Sequence, residues 1–312
     1  MRVIFFGTPS FAADVVQNLI ENGVTICAVV TRPDRPRGRS GKPCFSAVKQ
    51  RVLEQFPAIP IYQPDRVSTE AFGQELARYA ADLFVVVAYG EIIKQHILDL
   101  PRLGCINLHA SLLPAYRGAA PIHFALLHGE EKTGVTVIEM VAKMDAGPIL
   151  SQEEVPIAAD DDFLELEEKL CVAGANQLLK VIRQYKQGKV AKVTQDETAA
   201  TFATKVDPSL AQLDWNQPAD VLYRRIRAFT PRPGAWCFVS IEGVLKRMKV
   251  FQARLVAMEG KAGATLSYSK SGWRIACGHH ALDLLNIQLE GKKKLSIAEF
   301  KCGFQTAPQL VC

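Results

Sequence analysis

At 312 residues the chain is about twice the length of a typical domain, so two domains are expected. Its composition, 48% apolar and 22% charged, excludes a disordered chain, and its longest apolar run (83–89) is far short of the roughly 20 residues of a membrane helix. The net charge of +5 divides unevenly, −3 over residues 1–204 and +8 over 205–312, and the basic half suits a polyanionic partner.

RVIFFG (2–7) is a continuous apolar strand. It breaks at Gly7 and Pro9 without a small-residue cleavage site, so it reads as a first strand rather than a signal peptide. Residues 11–23 have helical spacing and end on Gly23, a good C-cap. VTICAVVT (24–31) is a second buried strand. A basic loop follows, then a helix around 46–56, a short strand near PIYQP, a helix around 69–79 and the strand 82–90. Unbroken apolar strands alternating with amphipathic helices imply an α/β domain, a doubly wound parallel sheet covered on both faces. Ligands then bind at the carboxyl ends of its strands. A dinucleotide site is not expected, because FGTPSFA carries one glycine where that fingerprint has three and no acidic residue closes the second strand.

The strand ending at 104–109 carries Asn107 and His109. A period of two puts both on one face, about 6–7 Å apart, with Leu108 turned away. An amide and an imidazole at a strand's carboxyl end can aim at one developing charge. Asp145 lies in the glycine-containing loop MVAKMDAGPIL between two β-like segments, where a carboxylate can orient the imidazole.

From 187 to 206 the chain becomes polar and Thr-rich and loses helical period, which reads as a linker. Residues 218–229 form one amphipathic helix. Short alternating segments follow, and Glu242-Gly243 between two of them signals a hairpin. Five or six short strands in about 80 residues suggest a small closed barrel, for which an OB-like fold is expected. The expected division is 1–189, a linker over 190–206, and 207–312. Eight cysteines without a C-x-x-C pair fit reduced thiols in a cytoplasmic protein, with no disulfide framework and no metal.

NLHASLLPAYRGAAPI with MDAGPIL resembles the signature of the formyltransferase family that uses 10-formyltetrahydrofolate. The resemblance extends through FGTPSFA, TRPDRPRGR, VVVAYGEII, GVTVIEM, QDETAATFATKV, IRAFTPRPGAW and LEGKKKLS, nearly the whole chain. It implies a Rossmann-like catalytic domain followed by the OB-like domain. It also implies Asn107, His109 and Asp145 as the catalytic triad. Val87, Ala88, Tyr89 and Gly90 match a folate loop, adjoined by Ser111, Leu112, Leu113 and Pro114. The breadth of the match implies the branch that formylates methionine on initiator methionyl-tRNA, for translation initiation. A small-amine acceptor (glycinamide ribonucleotide or an aminosugar) is the alternative. A small-amine enzyme leaves the basic loop unexplained, and the glycinamide enzyme is little longer than the first domain.

In this chemistry an α-amino group with a pKa near 8 needs little activation. The difficulty is the charge on the formyl oxygen. Two preorganised donors, Asn107 and His109, address it, and losing one such donor typically costs about 10²–10³ in rate. Asp145 would orient His109 and relay the proton that leaves the amine.

The loop 32–43 carries a net +4. The resemblance places it in the tRNA acceptor stem, with Arg35, Arg37, Arg39 and Lys42 as contacts and Arg39 on the key arginine. The family often reads Gly-Arg-Gly-Lys-Lys there, whereas this chain reads Gly38-Arg39-Ser40-Gly41-Lys42. In the basic domain Arg224, Arg225 and Arg227 crowd one helix, and Lys292, Lys293 and Lys294 form a hairpin tip. Arg225, Lys292 and Lys293 are expected to track phosphates. No membrane partner is expected. No heptad or long apolar stripe argues for an oligomer, so a monomer is expected.

Overall fold

The computed structural model describes residues 1–36 and 43–311. The chain forms two compact units. The first comprises 1–121, 132–156 and 167–203, and the second 122–131, 157–166 and 204–312.

The first unit is built on a seven-stranded sheet. Its strands are β1 (Arg2–Gly7), β2 (Thr25–Val30), β3 (Ile61–Tyr62), β4 (Leu83–Val87), β5 (Cys105–His109), β6 (Lys132–Glu139) and β7 (Ile149–Pro156), in the order β7-β6-β5-β4-β1-β2-β3. From β3 to β5 the pairing is parallel, as expected; β6 and β7 extend it as antiparallel strands. The residues of β1 from Val3 on and all of β4 are buried, which is why they read as unbroken apolar runs. Helix α1 (Ser10–Glu21) buries Phe11, Ala12, Val15, Val16 and Leu19, and Gly23 takes φ 78° just beyond it.

The chain starts at β1, moves outward to β2 and β3, and then returns to the other side of β1 at β4. The order therefore reverses between β1 and β4, and a doubly wound sheet opens its crevice there. Three carboxyl ends meet at this point: Gly7, paired with Val87 of β4, and His109 of β5 beside them. The single glycine of FGTPSFA serves packing, since a Cβ on Gly7 would lie 2.7 Å from the Ala12 Cβ.

The second unit carries an antiparallel sheet of β8 (Ala235–Ile241), β9 (Val244–Val256), β10 (Thr265–Ser269), β11 (Gly272–Ala276), β12 (Ala281–Leu289), β13 (Leu295–Ser296) and β14 (Gln309–Val311). The order is β10-β11-β12-β9-β8-β14, with β13 on β12. The sheet curls over a core containing the fully buried Trp215 and Trp273, together with Leu222 and Ile226 of helix α2 (Ala219–Phe229). The ladder is open, because β10 and β14 stand at opposite ends of the path; it is a half-barrel rather than the closed barrel expected. The β8–β9 hairpin turns at Glu242 and Gly243, whose φ values of 51° and 76° are the two positive angles that a type I′ turn requires.

Candidate active site

Asn107 and His109 share one face of β5 because two positions separate them. Leu108, on the other face, packs against Gly174, where a Cβ would lie 2.6 Å from its methyl carbon. His109 is 6% exposed and Asn107 half-buried. The β6–β7 connection brings Asp145 over both. The Asn107 side-chain amide donates to Asp145 Oδ1 at 3.5 Å. Asp145 Oδ2 lies 3.7 Å from His109 Nδ1 and accepts the Gly118 N–H at 2.8 Å. The other ring nitrogen, Nε2, lies 2.9 Å from the Tyr116 carbonyl oxygen. Both nitrogens therefore face oxygen atoms, and the ring orientation is fixed from two sides. The geometry thus brings together the three residues singled out in the sequence.

Two residues of this cluster are held in the left-handed region, Asp145 at φ 50° and Tyr116 at φ 60°. Each such non-glycine residue costs on the order of 1 kcal/mol and persists only where its surroundings over-determine it. Behind them lies a layer that the sequence reading did not single out. Gln195 Nε2 donates to the carbonyls of Asp145 (2.8 Å) and Gly147 (2.7 Å). Its Oε1 accepts from Arg117 Nε (3.1 Å) and Nη2 (2.7 Å). Arg117 is 1% exposed and also donates to both oxygens of Glu197, at 3.1 and 2.9 Å. With Lys143 adding a second donor, this guanidinium holds the Glu197 carboxyl at about 2, well below its usual range. The segment read as a linker therefore returns to the first unit. Phe202–Ala203 pairs with Arg117–Gly118, and Val193 bridges to Ile149. Only the polarity of QDET hinted at this.

Two loops flank the cluster at neighbouring strand ends. After β4, Ala88 (φ 45°) and Gly90 (φ 86°) are exposed left-handed residues. Between them the Tyr89 side chain is buried edge-on to Phe6, and its carbonyl accepts the Thr8 hydroxyl at 2.8 Å. Burial pushes the Tyr89 phenol up to about 12. After β5, Ser111 Oγ donates to Ala115 O (2.6 Å), and Thr136 Oγ1 donates to Ser111 O (2.6 Å). Gln152 Nε2 donates to Leu113 O at 2.9 Å. Val87 and Leu113 are buried, and Leu112 and Pro114 are half-buried.

The expected phosphate contacts fall on other segments of the chain. Arg35 is exposed on a two-residue strand, Arg35–Pro36, paired with Pro43–Cys44; Arg37, Arg39 and Lys42 lie outside the described residues. Lys292 and Lys293 are exposed in the turn after β12. Arg225 is half-buried and donates to the Gln212 carbonyl at 2.6 Å, while Arg224 pairs with Asp220 and Arg227 donates to Asp161 O. Much of that helix's charge is thus engaged within the unit. Among the described residues one group, Glu259, His279 and His280, brings metal-capable atoms within 4.8 Å of one another, and all three are exposed in the second unit. No helix of the described residues is long and apolar enough to cross a membrane.

Residues 1–182 match the formyl transferase family and residues 205–305 its C-terminal domain. A methionyl-tRNA formyltransferase of Protochlamydia amoebophila is 48% identical over 304 residues, covering 97% of this chain and 95% of that protein. The enzyme of that name from Thiobacillus denitrificans is 44% identical over 303 residues, covering 97% and 96%. Among solved structures, HypX from Aquifex aeolicus in complex with tetrahydrofolic acid has the same fold, with a TM-score of 0.68 and 18% identity. The match covers 98% of this chain and 48% of HypX.

Proposed function

We infer that this chain, which belongs to the formyl transferase family and within it to the methionyl-tRNA formyltransferases, transfers the formyl group of 10-formyltetrahydrofolate to the α-amino group of methionine on initiator tRNA. The observation that carries the reading is the meeting of Asn107, His109 and Asp145 at the β5 end, in a chain that aligns over 97% of its length with a protein of that name. The reaction serves translation initiation and belongs in the cytoplasm.

The folate supplies a formyl group on an amide-like nitrogen. The residues suit such a co-substrate. The turn Val87, Ala88, Tyr89, Gly90 exposes backbone at the point where the strand order reverses, fitting the donor–acceptor edge of a pterin. Ser111, Leu112, Leu113 and Pro114, on the neighbouring strand end, are assigned to the same co-substrate, their backbone held by Thr136 and Gln152.

Asn107 is the first donor to the formyl oxygen. Its bond to Asp145 is long, at 3.5 Å, so the amide can turn to a stronger acceptor. His109 is the second. Its Nε2, beside the Tyr116 carbonyl in this structure, exchanges or shares that contact as charge develops. Asp145 fixes the ring through Nδ1 and takes the proton released by the attacking amine, which must reach the departing folate nitrogen. The new N–C bond forms at the amine as the folate N–C bond breaks.

The acceptor is gripped by the basic loop, through Arg35, Arg37, Arg39 and Lys42, and by Arg225, Lys292 and Lys293 of the second unit. Of the described set, Arg35, Lys292 and Lys293 are exposed.

The test is formyl transfer by Asn107→Ala and Asp145→Asn. Each is expected to lower kcat by about 10²–10³. A rate near that of the unmodified enzyme in either variant would contradict its assigned role.

A further inference from the structure

We propose that Gln195 is a positioning residue for formyl transfer, holding Asp145 in its left-handed conformation through the Asp145 backbone. The proposal rests on Asp145 acting in the reaction as described above.

One side-chain amide gives both of its N–H groups to carbonyl oxygens two residues apart, Asp145 O at 2.8 Å and Gly147 O at 2.7 Å. These bonds pin the turn from behind, immediately after the residue at φ 50°. The amide cannot flip. Its Oε1 faces two N–H donors of Arg117, and a flip would set N–H against N–H and oxygen against the two carbonyls. Arg117 is held in turn by Glu197. The next residue, Gly118, donates its N–H to Asp145 Oδ2 at 2.8 Å.

The bonds close a ring: Asp145 carboxylate, Gly118, Arg117, Gln195, Asp145 carbonyl. Both ends of the catalytic residue are thereby fixed to the same two segments, 117–118 and 195–197. Gln195 is 6% exposed, so little water is at hand to replace its bonds. On the front of the turn Asp145 Oδ2 must keep its 3.7 Å spacing from His109 Nδ1. Loss of the rear bonds lets the turn relax toward right-handed geometry and carries the carboxylate off that line. Misplacement by about 1 Å costs up to roughly 10²-fold in rate.

The experiment compares Gln195→Met and Gln195→Glu with the unmodified full-length enzyme. Gln195→Met loses every polar bond. Gln195→Glu keeps an acceptor for Arg117 but sets an oxygen against the two carbonyls, so both donations are lost. Both variants are expected to lower kcat by about 10- to 100-fold while the KM for the folate stays within about threefold. The pH–rate profile shifts in both, because the spacing between Asp145 and His109 changes. The other charged groups nearby, Glu197 and Lys143, stand behind Arg117. The His109 ring resonances of the free enzyme shift as well.

A folded Gln195→Glu enzyme with kcat within about twofold of the original overturns the proposal. So does a loss of rate that follows thermal stability alone, with the pH profile and His109 resonances unmoved. If the unmodified enzyme transfers no formyl group, the functional reading fails by itself, and the His109 resonances still test the positioning.

Discussion

Replacing Gly118 with alanine strikes the fold and the site through one atom. Gly118 sits at φ 120°, outside the range open to other residues at low cost. An added Cβ would lie 2.5 Å from the Ala203 carbonyl oxygen and 3.2 Å from its carbon. The backbone strain alone costs about 1–3 kcal/mol. Relieving the overlap pushes the two short strands apart and weakens the bonds of Ala119 and Ala120 to Ala203 O, now 2.8 and 3.3 Å. Each is worth about 1 kcal/mol. A total of roughly 2–4 kcal/mol corresponds to a fall in Tm of about 5–15 °C for a unit of this size. The same movement withdraws the Gly118 N–H from Asp145 Oδ2, a charge-assisted bond worth about 1.5–3 kcal/mol, so kcat should fall by about tenfold or more. Thermal unfolding and single-turnover formyl transfer read the two effects separately. A variant with Tm within about 1 °C and an unchanged rate would refute both the packing and the coupling.

Arg117→Lys keeps the charge but replaces a planar fork with a point donor that cannot serve Gln195 and Glu197 together. It should destabilise the protein by about 2–3 kcal/mol in denaturant titration, and a smaller loss than 1 kcal/mol would mean the fork is dispensable. His123 packs at a tilt against Phe163 and Phe229, at ring separations of 4.4 and 5.9 Å, and burial holds its imidazole down at about 4. Its unfolded value is about 6.5, so between those values the unfolded chain binds more protons. Stability therefore falls as pH drops from about 6.5 to 4, by at most roughly 3 kcal/mol at pH 4. His123→Phe should flatten that slope, and an unchanged slope across the same window would assign it to other groups. Charge reversal at Lys292 and Lys293 should weaken RNA binding and reduce the slope of log affinity against log salt by about one to two. An unaltered slope would remove both lysines from the interface.

The parts of this molecule that were legible in the sequence follow local rules. β1 and β4 are buried on both faces and read as unbroken apolar runs. The period of two set Asn107 and His109 on one face, and Glu242-Gly243 marked a turn whose φ values a hairpin demands. What stayed hidden depends on distant partners. Arg117 and Gln195 are 78 positions apart, and the segment holding Gln195 has no periodicity to place it. Its polarity resembled a solvated linker, whereas those side chains are spent on buried carbonyls and a buried guanidinium. The partners of the α2 arginines were hidden for the same reason: one meets Asp220 and two donate to carbonyl oxygens of their own unit. The open ladder of the second sheet also escaped, since strand count does not set closure.

The most direct test of the function is release of tetrahydrofolate from 10-formyltetrahydrofolate with three acceptors in parallel: methionyl-initiator tRNA, elongator tRNA charged with methionine, and glycinamide ribonucleotide. Release with the initiator and with neither of the others is the expected result. Release with glycinamide ribonucleotide alone would leave Asn107, His109 and Asp145 in their roles but would contradict the assignment of the acceptor and of every basic contact made to it.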